Sequence, residues 1–159
     1  MARPSNRRTR GGVSGHPAPR LSYVLGRAEF ALRRRLGEAL SPLGLTLPQY
    51  TALSVLRRRD GLSNAQLARR ALITPQSMIT ITTGLERKGL ITRVPDPAHG
   101  RILRTLLTSA GDRLLVAADE AVDAIEADML QELSSADRGR LLDDLKSCVR
   151  MLGAGFVDI

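Results

Sequence analysis

Residues 75–88 carry short polar side chains at a helical spacing, and their chemistry suits hydrogen bonding to a nucleic acid. At about 100° per residue, one side of this helix presents Gln76, Ser77, Thr80, Thr83 and Arg87. The set contains hydroxyls, an amide and a cation, but no acid. Such groups can lie close to base edges and phosphates, whereas an ordinary solvated face usually carries Glu and Lys in quantity. The alternative is a helix pair that serves only as a packing unit.

Signals at both ends define the helix that carries this polar face. Thr74-Pro75 is typical of an N-cap followed by proline at the first helical position, and Gly89 is typical of a helix stop. The opposite side of the helix is an apolar stripe for the core, made of Met78, Ile81 and Leu85. Thr74 lies at the start of the polar face, and we include its hydroxyl among the candidate DNA contacts.

A shorter helix is predicted just before this one. Ser63 and Gln66 have the spacing of a capping box, in which each side chain binds the other residue's backbone N–H, and Leu67 and Ala71 face inward. The connection over residues 72–74 is brief, although it lacks the glycine that is common in such turns. The two helices together predict a helix-turn-helix, with Ser63 as a further candidate DNA contact.

Upstream of these two helices, Thr46 and Gln49 have the spacing of another capping box. They predict a further helix that runs to Arg58.

The period changes from helical to extended after Gly89. Residues 90–94 and 101–107 are typical of two strands, and the Pro- and Gly-rich turn between them is too polar to be buried. Arg101 lies where the tip rejoins the second strand, and a guanidinium there can enter a narrow minor groove, where negative potential is strongest. The helices and the hairpin predict a winged helix-turn-helix. The alternative is an ordinary exposed hairpin with a solvated arginine.

These elements and their motifs resemble the multiple-antibiotic-resistance regulator (MarR) family of bacterial transcription factors. The matching pieces, within roughly residues 21–153, are Leu47-Pro48-Gln49-Tyr50, residues 85–93, Asp96-Pro97 with Arg101, and residues 107–111. The resemblance implies a homodimer, a palindromic DNA operator and release by a small ligand, often phenolic or otherwise lipophilic. The predicted function is therefore a sequence-specific, dimeric DNA-binding transcriptional regulator of the repressor type.

Two positions depart from the family pattern. The family wing often has an acid two residues before the wing arginine, which braces the tip, but this chain has His99 there. The tip is therefore expected to be more mobile, or more cationic at low pH. The recognition helix of the family also often carries a basic residue near the middle of its polar face, where this chain has Thr80. Specificity is then expected to depend more on Gln76, Ser77, the wing and DNA shape.

The predicted fold class is mainly α with a small β-wing, in four parts along the chain. Residues 1–20 form an Arg-, Gly- and Pro-rich tail, expected to be disordered, which either follows the DNA backbone or is simply solvated. Residues 21–45 hold an N-terminal dimerisation helix, and residues 46–108 hold the winged helix-turn-helix. Residues 109–159 hold the C-terminal dimerisation helices.

Apolar stripes in the terminal helices supply the argument for a dimer. They are Leu21, Leu25, Ala28 and Leu32 in the first helix, Leu115, Ala118, Val122, Ile125 and Met129 in a fifth helix over 109–133, and Leu142, Leu145, Val149 and Leu152 in a sixth. Such stripes can be buried within one chain or between two, and the family resemblance favours two. Recognition helices held by this frame predict half-sites about one DNA turn, roughly 10 bp, apart.

Charge is distributed unevenly along the 159 residues, whose net charge is +8. Residues 1–20 hold five Arg and no acid, residues 21–111 hold fourteen Lys or Arg against five Asp or Glu, and residues 112–159 hold five against eleven. The basic part coincides with the predicted DNA head, and the acidic part coincides with the frame. Binding to DNA should therefore weaken steeply as salt rises.

The sequence offers little for an enzyme, a metal site or a cofactor. His16 and His99 have no neighbouring ligand at metal spacing, no Gly-rich phosphate loop follows a strand, and a catalytic triad lacks a buried histidine. Cys148 is the only cysteine, so no intrachain disulfide can form, and a small apolar filler is favoured over a redox switch. Neither a secretion signal nor a membrane-length run is found, so we expect a cytoplasmic, nucleoid-associated protein without membrane contact.

The family resemblance places an effector pocket between the dimer frame and the DNA head, lined by the first, second and fifth helices. Tyr23, Arg27, Phe30 and Tyr50 are the candidates there, because a cation and aromatic rings can hold an aromatic acid. The alternative is a surface arginine with core aromatic residues. Two other functions remain open: a constitutive or architectural winged-helix DNA-binding protein with no effector, and a helix-turn-helix that serves as a protein-interaction module.

Overall fold

A computed structural model describes residues 18–154, so most of the predicted basic tail lies outside the described residues. The chain is mainly helical with a small antiparallel sheet, as the predicted fold class requires. In order, its elements are α1 (Leu21–Leu40), α2 (Leu47–Arg58), β1 (Leu62–Ser63), α3 (Asn64–Arg70), α4 (Pro75–Arg87), β2 (Ile91–Pro95), β3 (Leu103–Leu107), α5 (Ser109–Met129) and α6 (Ser135–Met151). Within the described range, no helix is long and apolar enough to cross a membrane.

Side-chain caps begin the helices of the DNA head where the sequence predicts them. Both capping boxes are complete: the Gln49 N–H donates to Thr46 Oγ1 at 3.4 Å, and the Gln66 N–H donates to Ser63 Oγ at 3.3 Å. Thr74 caps α4 with its hydroxyl, which accepts from the Ser77 N–H. Because a cap satisfies backbone donors that the first helical turn leaves free, these local signals determine where each helix starts.

The wing and its base form a three-stranded antiparallel sheet in the order β1-β3-β2. Its hairpin register pairs Ile91 with Leu107, Arg93 with Thr105 and Pro95 with Leu103. The second strand begins later than the predicted residue 101, because Ile102 still closes the turn: its carbonyl accepts from the Asp96 N–H, and its N–H donates to the His99 carbonyl. The sequence does not predict β1, since two residues are too few to show a period-2 pattern.

The core lies between α2, α3, α4, α5 and the sheet, with the end of α1 packed against it. Its fully buried large apolar side chains are Leu40, Leu53, Leu56, Leu67, Met78, Leu85 and Leu115. The predicted stripe of α4 faces this core, with Ile81 only half-buried at its margin. The helix that carries the polar face is therefore held from behind by close-packed leucine and methionine side chains.

The apolar stripe of α5 is covered within one chain, unlike the predicted seam between two. Leu115, Ala118, Val122 and Ile125 are buried within a single chain, because α5 packs against α1 and α2. The seam that the sequence analysis assigned to two chains is thus core of one. Met129 is exposed and ends the helix, which stops before the expected residue 133.

The first half of α1 and all of α6 leave apolar surface uncovered in the single chain. The uncovered large apolar side chains of these two helices include Leu21, Tyr23, Val24, Leu25, Phe30, Leu141, Leu142, Leu145 and Met151. Over the whole of α6 no residue is buried. Cys148 on α6 is also exposed in the single chain, so its predicted role as a small apolar filler stays a prediction.

Candidate nucleic-acid interface

The polar face of α4 is open to solvent along its length. Its five predicted members are all exposed, namely Gln76, Ser77, Thr80, Thr83 and Arg87. On the opposite side, Thr82 is buried between Met78 and Leu85, and the sequence analysis missed it because a hydroxyl is not a core signal. Thr82 Oγ1 donates to the Met78 carbonyl at 2.9 Å, one turn back, so its burial leaves no unsatisfied donor.

Asn64 joins the start of α3 to α4. Its Nδ2 donates to the Pro75 carbonyl at 3.1 Å, and its Oδ1 lies 3.4 Å from Thr82 Oγ1, whose single hydrogen goes to the Met78 carbonyl. The hydrogen bond and this contact reach the first turn and the middle of α4 from one side chain. Asn64 therefore helps to set the angle between the two helices and the direction of the polar face. Nothing in its sequence position after a capping serine distinguishes it.

The turn between α3 and α4 is made without glycine. Leu72 takes a φ of 54°, in the left-handed region, and the Ile73 N–H donates to the Ala68 carbonyl at 2.9 Å. A left-handed conformation costs a non-glycine residue roughly 1–2 kcal/mol. The Leu72 side chain is exposed, so the conformation is held by the Ile73–Ala68 hydrogen bond and by the buried Ala71 before it, and the result is the tight entry that brings Thr74 to the start of α4.

The two N-cap hydroxyls on the candidate surface already take part in local bonds. Thr74 Oγ1 accepts from the Ser77 N–H at 3.2 Å and donates to Ser77 Oγ at 2.9 Å. The hydroxyl hydrogen of Ser77 is then free to donate to a phosphate, at the end of the helix where the backbone dipole favours an anion. Ser63 Oγ accepts from the Gln66 N–H. Direct contacts of these groups with DNA stay predictions.

Asp96 braces the wing tip from a position that the sequence analysis did not consider for this role, while the expected mobility of the tip stays a prediction. Its Oδ1 accepts from the backbone N–H groups of Ala98 at 2.8 Å and His99 at 3.0 Å, and its Oδ2 accepts from Arg104 Nε at 2.6 Å. The Arg104 guanidinium, with these backbone donors, holds the pKa of Asp96 below its usual range. The tip is thus fastened without an acid at position 99, and Arg101 is exposed on it.

An ion pair joins the wing to the recognition helix. Glu86 is the only acid of α4, and its Oε2 accepts from Arg93 Nε at 2.9 Å and from a second nitrogen of the same guanidinium. Arg93 keeps the pKa of Glu86 below its ordinary value, so the carboxylate stays ionised and paired. Glu86 is therefore engaged by β2, and the exposed polar face of α4 remains free of negative charge.

Three of the four effector candidates share one groove on α1. Tyr23, Arg27 and Phe30 line an open depression of about 720 Å³. The Arg27 guanidinium donates to the Tyr23 hydroxyl at 3.4 Å and lies 6.0 Å from the centroid of its ring. All three side chains are exposed in the single chain, so the groove has a cation and two aromatic rings but only one wall.

Tyr50 lies apart from this groove and links α2 to α5. Its hydroxyl donates to Asp119 Oδ1 at 2.9 Å, and Arg57 donates to Asp119 Oδ2 at 2.5 Å. Burial, together with the hydrogen bond to the Asp119 carboxylate, raises the pKa of Tyr50 to about 12. Within one chain the structure does not bring Tyr50 together with the other three candidates. Its binding to an effector stays a prediction.

Comparison with known proteins places this geometry in a family. Residues 43–102 match the model of the MarR family. The HTH-type transcriptional repressor Rv2887 of Mycobacterium tuberculosis (strain ATCC 25618 / H37Rv) is 40% identical over 130 residues, which cover 80% of this chain and 94% of that protein. The chain belongs to the MarR family. MarR proteins are transcriptional regulators rather than enzymes, which agrees with the functional class predicted from the sequence.

Solved structures of a MarR protein share the fold. The Mycobacterium tuberculosis protein Rv2887 in complex with DNA matches with a TM-score of 0.68 and 37% identity, over 80% of this chain and 98% of that chain. The same protein in complex with salicylic acid matches with a TM-score of 0.67 and 38% identity, over 82% of this chain and 96% of that chain. The predicted MarR winged-helix fold is confirmed.

Proposed function

We propose that this MarR protein is a homodimeric repressor, which binds a palindromic DNA operator and is released by a small aromatic ligand. The observation that carries the proposal is the exposed, acid-free polar face of α4 beside a braced wing tip that presents Arg101. A helix of this kind fits the major groove, while the wing arginine suits the adjacent minor groove. The DNA complex of the relative Rv2887 supports the assignment.

The uncovered faces of α1 and α6 support the homodimer. A monomer seldom leaves so many large apolar side chains of two helices open to water, and exposed apolar surface of this kind marks interaction sites. Leu21 and Leu25 on α1 and Leu142 and Leu145 on α6 repeat at helical spacing and are exposed in one chain. A second copy of the chain presents the same faces, so a two-fold arrangement covers both sets at once.

The groove on α1 supports an anionic aromatic effector. Arg27 supplies the cation for a carboxylate, and Tyr23 and Phe30 supply faces for a ring. The groove has one wall in a single chain, and the partner subunit of a dimer would provide the other. The salicylic acid complex of Rv2887 supports this class of ligand. In this proposal the effector site is complete only in the dimer.

Footprinting on the DNA upstream of the protein's own gene tests the proposal. We expect a short palindromic footprint with half-sites about one helical turn apart, which salicylate releases. A footprint that no aromatic acid releases, or diffuse coating of the duplex, would favour a constitutive or architectural DNA-binding protein. No DNA binding even at low salt would leave the protein-interaction module. In a randomised-site selection, Gln76→Ala should alter base preference more than bulk affinity, and an unaltered preference would remove Gln76 from base readout.

A further inference from the structure

Ile79 is an apolar side chain within the exposed surface of α4. Its side chain is 48% exposed, and no other residue of α4, all of which the structure describes, is an exposed large hydrophobic. Gln76 lies three residues before it and Thr83 four residues after it, so both are its neighbours on the helix surface. An apolar group thus borders the row of hydrogen-bonding side chains, on the side of α4 that faces α3 and the wing.

Ile79 also lines an open cleft between α3, α4 and the wing. This cleft is about 350 Å³ and is lined in part by Ala65, Ile102, Leu103 and Thr105. A β-branched side chain in a helix holds one χ1 rotamer in roughly 90% of cases. Ile79 is therefore restricted by its branching, and about half of its side chain is open to solvent. Little further side-chain entropy is lost if its exposed atoms meet a partner.

We propose that Ile79 recognises the 5-methyl group of a thymine in the major groove, an inference that rests on the proposed DNA-binding function. Among the base edges of the major groove, that methyl is the one apolar group, and aliphatic side chains contact it. Gln76, one turn away, has the amide that pairs with the N6 and N7 atoms of adenine. Neighbouring amide and aliphatic groups on one helix thus make a reader for sites rich in A·T pairs.

The expected size of the effect follows from the burial of one methyl group. Its transfer out of water changes affinity about fourfold. A homodimer on a palindrome makes the contact twice, so removal of both methyl groups should weaken binding about 15-fold. Base pairing does not change when thymine is replaced by uracil, so the loss would report the methyl contact alone.

The test uses the full-length protein and a synthetic duplex of its footprinted site, in which each thymine is replaced in turn by deoxyuridine. We expect one thymine per half-site at which the wild-type chain loses about fourfold in affinity. The variant Ile79→Ala should bind the thymine and uracil duplexes equally. Two controls are Gln76→Ala, a neighbour on the same face, and Ile102→Ala, on the wing side of the same cleft. Both should keep the thymine preference at that position.

The outcomes separate this inference from the function on which it rests. A wild-type chain that binds its site but is indifferent to every thymine replacement overturns the inference alone. An Ile79→Ala variant that keeps the full preference, or an Ile102→Ala variant that loses it equally, also overturns the assignment to Ile79. A chain that binds no duplex refutes the proposed function and the inference with it. Thermal melting of each variant confirms that it is folded, since Ile79 is half-exposed.

Discussion

Replacement of Arg101 by alanine tests the wing contact most directly. Arg101 is exposed, and it makes no hydrogen bond or ion pair with any residue in the described range, so its removal should leave the free energy of unfolding within about 0.5 kcal/mol of wild type. A homodimer carries two wings and therefore loses two cations. Each neutralised phosphate contributes about 0.9 to the slope of log K against log salt, so the slope should fall by about 1.8.

This change of slope predicts how the loss of affinity depends on salt. With equal affinity of variant and wild type at 1 M salt, a slope difference of about 1.8 corresponds to roughly 60-fold weaker binding at 0.1 M and roughly 18-fold at 0.2 M. Fluorescence anisotropy of a labelled operator duplex, titrated at several salt concentrations, measures both quantities. The variant Arg101→Lys should keep the slope, because the charge remains, and lose affinity only where the guanidinium shape matters.

A matched control separates the position of the charge from its amount. Arg140 lies exposed on α6, where it pairs with Asp137 in the same helix. The variant Arg140→Ala changes the net charge as much as Arg101→Ala does, and its salt slope should equal that of wild type. If Arg101→Ala leaves affinity and slope unchanged, the wing does not contact DNA. If both variants lower the slope equally, overall charge rather than the wing accounts for the effect.

Three further substitutions test packing, the link between α2 and α5, and assembly. Gly111→Ala would place a Cβ 2.2 Å from the Leu90 carbonyl oxygen, a backbone atom that cannot move aside easily. The free energy of unfolding should therefore fall by about 1–3 kcal/mol or more in thermal melting. A melting temperature equal to that of wild type would contradict the clash. Tyr50→Phe removes the bond to Asp119 and should lose about 1 kcal/mol at neutral pH. Folding raises the pKa of Tyr50 from 10.0 to about 12. The stability that its protonated hydroxyl contributes is therefore present below pH 10 and lost as the pH rises towards 12. A Tyr50→Phe variant whose unfolding free energy falls with alkaline pH as that of wild type does would refute this. Leu145→Asp should lower the dimer fraction in light scattering, and an intact dimer would exclude that face of α6 from the interface.

The sequence by itself determined the helix starts and the surface of the recognition helix. Thr46, Ser63 and Thr74 cap their helices where predicted, because a cap forms between residues two or three apart and needs no distant partner. The polar face of α4 follows from helical geometry in the same way. The residue types of the wing likewise predicted a hairpin, although the sequence placed the start of its second strand two residues early.

Only the tertiary structure decided what each element meets. The period of α5 shows an apolar stripe, but a period cannot tell whether the same chain or another covers it, and here Leu115 and its companions are covered by α1 and α2. Tyr50 finds Asp119 across 69 positions of sequence, and Asp96 finds Arg104 across the turn. Burial and ion pairing depend on which side chains from distant parts of the sequence the fold brings into contact. Neighbours along the chain therefore specify the elements, while their partners are set by how those elements pack.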